Sequence, residues 1–181
     1  MHAQDIEFYL ADLGQALAEM GQQQPLRLLL VGGAFMLTQL GSRRTTNDID
    51  VVLKDVNDLT ASSLSQRLKT GARTVATRNQ IPVTWINDVI GDFLRDTSQV
   101  PQGTLWRTYG PLEVYVPEGA YILALKLLAG RPKDRGDIQD LCSQLHIQTR
   151  IQAQKIVDQY IPNTQVQQIN DVDRTLDSLF P

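Results

Sequence analysis

An α/β sheet domain with helices gathered at its C-terminal end is the fold class this sequence predicts, and three observations predict it. A short continuous apolar run, Leu28-Leu29-Leu30-Val31, stops at two glycines, as a buried sheet strand does. Segments of helix period and strand period then alternate as far as Val116. From Pro117 onward only helical patterns follow.

In chain order, Ile6, Leu10, Leu13, Leu17 and Met20 recur at helical spacing, which predicts an amphipathic helix ending near Gly21. The strand Leu28 to Val31 comes next, and Ala34 to Leu40 reads as a helix closed by Gly41. Ile49 to Leu53 is β-branched and apolar, a second strand. Leu59 to Lys69 reads as a polar helix that ends at Gly71. Arg73 to Thr77 carries a faint strand pattern, Ile81 to Ile86 a clearer one and Leu112 to Val116 the clearest, with a turn-rich stretch from Thr97 to Pro111. The helices predicted beyond Pro117 are Glu118 to Ala129, Lys133 to Leu145, Thr149 to Tyr160 and Asp171 to Leu179.

With 181 residues the chain suits a single domain, an α/β core over about 25–117 followed by a helical part over about 118–181. Its 42% hydrophobic and 20% charged residues are ordinary globular values, so a disordered or disulfide-scaffold class is excluded. A net charge of -3 argues against a surface that wraps nucleic acid all round, and leaves room for a local basic patch. The one cysteine, Cys142, cannot form an intramolecular disulfide and sits in the apolar stripe of Ile138, Leu141 and Leu145 as a core residue. No apolar run reaches the roughly 20 residues of a membrane span, and the start lacks a signal-peptide pattern. A cytoplasmic protein without a membrane segment is expected.

The chemistry-bearing residues begin at Gly32 and Gly33, where a strand runs into a helix and a phosphate can approach backbone N–H groups with no side chain in the way. Asp48 and Asp50 open the second strand two residues apart, so their carboxylates project to one face and can hold a divalent cation. Read alone, such a pair is better explained by a solvated loop in which Asp48 caps a turn, since short acidic motifs recur by chance. Arg43 and Arg44 precede it, placed either to bind phosphate oxygens or to be solvated. Lys126 is the one charged residue between Gly119 and Gly130 in an apolar helix, so it either snorkels to the surface or meets an anion. Asp134 and Asp137, three apart at a helix start, have the spacing of a capping arrangement. His2 and His146 stand alone and are assigned no metal role.

Two ordered blocks carry a resemblance. The first is Val31-Gly32-Gly33-Ala34 followed by Ser42 through Asn47 and Asp48-Ile49-Asp50-Val51; the second is Leu123 to Arg131 with Lys126, followed by Lys133-Asp134-Arg135-Gly136-Asp137. Together they resemble the DNA polymerase beta-like nucleotidyltransferase superfamily, and most of all its AbiEii-type toxin branch, over residues 28 to 142. The resemblance implies a nucleotidyltransferase-type mixed sheet flanked by helices. It implies transfer of a nucleoside monophosphate from NTP to an acceptor hydroxyl, with Mg²⁺ or Mn²⁺ on Asp48 and Asp50. Gly32, Gly33, Arg44, Thr46, Lys126 and Arg131 are then the nucleotide-binding candidates, with Lys126 within reach of the acidic pair or the triphosphate. Asp134 and Asp137 would support the site by orienting Lys126 or Arg131. A third carboxylate is expected on a neighbouring strand, at Asp88 or alternatively Glu113, although neither stands in the apolar-Asp-apolar context usual for it. The implied acceptor is RNA, the tRNA 3′ end first, and the implied setting is a toxin with a cognate antitoxin. A non-catalytic module of the same fold, binding a partner protein or nucleotide, is the alternative.

Overall fold

The computed structural model describes residues 1–55 and 60–180. The chain forms two compact units: Met1–Gly91 with Gln102–Val116, and Asp92–Pro101 with the chain from Pro117 onward. The first is the sheet unit. Its five strands are β1 (Leu26–Val31), β2 (Ile49–Leu53), β3 (Ile86–Asn87), β4 (Thr104–Tyr109) and β5 (Leu112–Val116), in spatial order β3-β2-β1-β5-β4. The sheet is mixed: β1 runs parallel to β5 and antiparallel to β2, β2 is parallel to β3, and β4 is antiparallel to β5.

Two helices of this unit cover one face of the sheet. Helix α1 (Ala3–Glu19) buries Ile6, Leu10, Leu13 and Leu17, which recur every three or four residues and so form one stripe. They meet Leu26, Leu28 and Leu30 of β1, Ile49, Val51 and Leu53 of β2, Leu112 and Val114 of β5, and Leu68, Ala72 and Val75 of α3 (Ala61–Asn79). Each fully buried aliphatic side chain contributes about 1.5–3 kcal/mol, so this alternate set of strand positions fixes which way every other side chain points.

Four expectations need correction. Helix α3 does not end at Gly71, and Arg73 to Thr77 is not a strand: the helix continues to Asn79. Gly71 is a close-packing site, where a Cβ would lie 2.8 Å from Leu13 Cδ1. Leu59, where the sequence reading starts this helix, lies outside the described residues. Only Ile86 and Asn87 of the stretch Ile81 to Ile86 and its neighbour pair as a strand. An unforeseen helix, α4 (Ile90–Thr97), ends where the turn-rich stretch begins, and the stretch itself holds the edge strand β4, joined to β5 by a Gly110-Pro111 loop with Gly110 at φ 55°. Between β1 and β2, α2 (Gly32–Phe35) passes into a π-helical turn, Met36–Leu40, closed by left-handed Gly41.

In the second unit, α5 (Gly119–Ala129) is buried on nearly all sides, as an all-apolar helix must be, and packs with α6 (Arg135–Gln144), α7 (Arg150–Tyr160) and α9 (Val172–Leu179). A short helix α8 (Thr164–Ile169) precedes α9. Thr149 starts α7 with a reciprocal cap, accepting from Gln152 N–H while Gln152 Oε1 accepts from Thr149 N–H. Tyr121 and Tyr160 meet edge to face at 5.4 Å, the Tyr160 hydroxyl donates to Glu118, and Ser98 Oγ lies 3.0 Å from Tyr121 Oη. Among the described residues no helix is long and apolar enough to cross a membrane.

Candidate functional site

The antiparallel register of β1 and β2 sets Val31 opposite Asp50, so the glycine pair that follows Val31 emerges beside the acidic strand. Gly32 has φ 65°, and a Cβ built on it would lie 2.8 Å from Asp50 Oδ2. An alanine here would carry both left-handed strain and a contact closer than real Cβ atoms make. A Cβ on Gly33 would lie 2.7 Å from Thr46 Oγ1 and 3.1 Å from Arg43 Nη1. The turn is therefore wedged between Asp50 on one side and the loop carrying Arg43 and Thr46 on the other.

That loop is pinned from outside. Thr46 is buried, and its hydroxyl donates to the Asp48 carbonyl at 3.0 Å. Its backbone exchanges two hydrogen bonds with Met1, at 2.7 and 3.0 Å, while His2 Nδ1 lies 3.0 Å from the Arg44 carbonyl oxygen. Arg44 itself is exposed and Arg43 half-buried. Thr46 thus uses its hydroxyl to shape the approach to Asp48. Ile49 is fully buried in the core, and Asp48 and Asp50, its neighbours on either side, are half-buried.

The neighbour of Asp50 on β3 is Asn87, its partner in the parallel register. Trp85 anchors this short strand: its ring is buried, its Nε1–H donates to the Ala72 carbonyl at 3.0 Å, and its own carbonyl accepts from Ile49 N–H at 2.8 Å. Asp88, one residue on, turns toward α3, where its carboxylate lies 4.0 Å from Lys69 Nζ. The structure brings Asn87 rather than Asp88 opposite Asp50. Glu113 is further removed. It pairs with Arg27, four residues before Val31, which sets it about 13 Å along the strands from the Asp50 position. Its carboxylate accepts from Arg27 Nε at 2.8 Å and Tyr115 Oη at 3.0 Å, and the Arg27 hydrogen bond holds it below the usual carboxylate range.

Lys126 belongs to the helical unit and does not snorkel. Its ammonium is buried between Asp134 Oδ1 at 3.0 Å and Asp137 Oδ2 at 2.5 Å, and both carboxylates are buried as well. Asp134 stands at the N-cap position of α6, yet its side chain makes no cap hydrogen bond, so the expected capping role is replaced by the ion pair. The three-residue spacing puts both acids on the face of the helix turned to α5. Arg131 is exposed just past the left-handed Gly130 that ends α5.

Among the described residues no three His, Cys, Asp or Glu side chains are disposed to share a metal ion. Asp48 and Asp50 offer hard oxygen donors, and two carboxylates are the set with which Mg²⁺ is usually held when substrate phosphates and water complete its shell. The Gly32-Gly33 turn packs directly against Asp50, with Arg43 beside Gly33, so by donor chemistry these are the residues that could hold Mg²⁺ and a phosphate. Sequence reasoning passed over Asn87 and put Arg44 ahead of Arg43. The proximity of Arg43 to Gly33 depends on how the loop folds back, which residue spacing does not encode. No protein-family model, curated protein or solved structure matches this chain.

Proposed function

We propose that this protein is a nucleotidyltransferase that moves a nucleoside monophosphate from Mg²⁺–NTP to an acceptor hydroxyl. The observation that carries the reading is the close approach of Gly32 to Asp50: the two halves of the motif, separated in sequence by α2, the π-helical turn and the loop after it, come together as a glycine turn beside a carboxylate. Asp48 and Asp50 would hold the metal, which when bound neutralises charge on the triphosphate. Gly32 and Gly33 admit phosphate oxygens to the backbone, Arg43 and Arg44 supply guanidinium donors, and Thr46 holds the Asp48 backbone in place. Asp88 has no part in phosphoryl transfer in this reading. Lys126, Asp134 and Asp137 serve the helical unit as a buried ion-pair triad.

The acceptor in this proposal is RNA, the tRNA 3′ end first, and the setting is a toxin restrained by an antitoxin; both rest on the resemblance of the two motif blocks. One observation favours a second reading, nucleotide binding without turnover: the residue opposite Asp50 is the amide Asn87, where a third carboxylate would stand. Calorimetric titration of Mg²⁺–NTP into the protein tests what both readings share. Binding that requires Mg²⁺ and is lost in Asp50→Asn is expected, and metal-independent binding or none at all refutes the proposal.

A further inference from the structure

Strand β3 brings one more group to the acidic pair. Ile49 of β2 and Ile86 of β3 are register partners, and both lie in the core that α1 covers. The next pair, Asp50 and Asn87, therefore turns to the other face of the sheet, with Cα atoms about 4.8 Å apart. Asn87 is half-buried, and among the described residues nothing hydrogen-bonds its carboxamide. A group in that position can reach a cation held by Asp50. As an amide it offers a neutral oxygen and two N–H donors, and it brings no negative charge.

Two divalent cations that share a site stand about 3.5–4 Å apart, and at that distance anionic ligands have to offset their repulsion. Asp48 and Asp50 supply two negative charges, which balance one such cation. Arg43, its Nη1 3.1 Å from the Cβ position of Gly33, brings a positive charge to the same turn. The two nearest candidates for a further carboxylate are engaged elsewhere, Asp88 facing Lys69 and Glu113 paired with Arg27. We infer that Asn87 restricts this site to a single divalent cation, held by Asp48 and Asp50 with the amide as a neutral neighbour. The inference rests on the proposed reading of the acidic pair and specifies how many cations it takes and which residue sets the number. A carboxylate at position 87 would put three acids on one sheet face and admit a second cation.

The test counts Mn²⁺, a stand-in for Mg²⁺ that electron paramagnetic resonance detects, retained by the full chain with and without an α,β-methylene NTP that cannot be turned over. Wild type, Asn87→Asp and Asp50→Asn are compared. With the analogue, the wild type should retain one ion per chain and Asn87→Asp two. Without it, Asp50→Asn should bind Mn²⁺ at least tenfold more weakly than the wild type. Asn87→Asp also sets a like charge beside Asp50, so it should melt below the wild type in EDTA and gain more from added Mn²⁺. A wild type that retains two ions overturns the inference, whether or not Asn87→Asp folds, and so does a folded Asn87→Asp that retains one. Mn²⁺ binding undiminished in Asp50→Asn overturns it as well, because the cation would then lie elsewhere. No Mn²⁺ binding by the wild type overturns both the inference and the transferase reading. One ion retained by the wild type and lost in Asp50→Asn, with no analogue bound, leaves the single-cation site standing and removes the transferase reading.

Discussion

Replacing Lys126 by methionine is expected to destabilise the helical unit rather than merely to remove a charge. The sequence alone supports the opposite expectation, because a snorkelling or phosphate-facing lysine can lose its ammonium with little cost to the fold. Here the ammonium is buried within 3.0 Å of Asp134 and 2.5 Å of Asp137, and all three side chains are more than nine-tenths buried. Methionine keeps the apolar stem and leaves two carboxylates in low dielectric without that ammonium. Removing one member of a buried ion pair costs about 3–5 kcal/mol. For a chain of this size each kcal/mol moves Tm by about 2–4 °C, so Lys126→Met should lower the melting transition by about 6–20 °C. The triple variant Lys126→Met/Asp134→Asn/Asp137→Asn removes the two buried carboxylate charges as well and should recover more than half of the loss. Thermal denaturation followed by circular dichroism reads both. A Lys126→Met protein that melts within 2 °C of wild type would refute the argument, since its ammonium could not then be offsetting two buried carboxylates.

Gly32→Ala should cost about 1–2 kcal/mol in left-handed strain and weaken Mg²⁺–NTP binding more than Gly41→Ala, another left-handed glycine whose Cβ would meet nothing; equal effects in calorimetry would dissociate the turn from the site. Asp88→Asn should leave nucleotidyl transfer within threefold of wild type, because its carboxylate faces Lys69; a hundredfold loss would restore it as a catalytic group. At alkaline pH, burial, with the Glu118 hydrogen bond added at Tyr160, keeps the Tyr121 and Tyr160 phenols protonated beyond their ordinary range. A raised folded-state value is a contribution to stability that is complete below the ordinary phenol value near 10 and lost as pH rises through the folded one. Tyr160→Phe should therefore flatten the fall of Tm above pH 10, and an unchanged slope would show that this phenol is not linked to folding.

The core elements were legible because they obey period rules: Leu10, Leu13 and Leu17 on a helix, Leu28 to Val31 and Ile49 to Leu53 on strands. What failed did so for local reasons. Gly71 looks like a terminator but serves the crossing of α1 and α3, a tertiary contact that overrides helix propensity. Strand β4 lies at a sheet edge with every residue exposed or half-buried, so it lacks the apolar alternation that marks a half-buried strand. At the candidate site, Gly32, Gly33, Asp48 and Asp50 could be singled out from order and spacing. Which residue stands opposite Asp50 could not, because β3 is two residues long and a one-residue slip exchanges Asn87 for Asp88. The partners of Lys126 were visible as an acidic pair, but the choice between capping α6 and meeting the lysine is made by the packing of α5 against α6.

The central claim is that Asp48 and Asp50, beside the glycine turn, support transfer of a nucleoside monophosphate. It is tested most directly by incubating the protein with α-labelled NTPs, Mg²⁺ and total RNA, in parallel with Asp48→Asn and Asp50→Asn variants shown by circular dichroism to be folded. The account predicts Mg²⁺-dependent labelling of RNA by the wild type and at least a 100-fold lower rate in each variant. Labelling that persists in the folded variants, or a wild type that labels no RNA with any NTP, would contradict it.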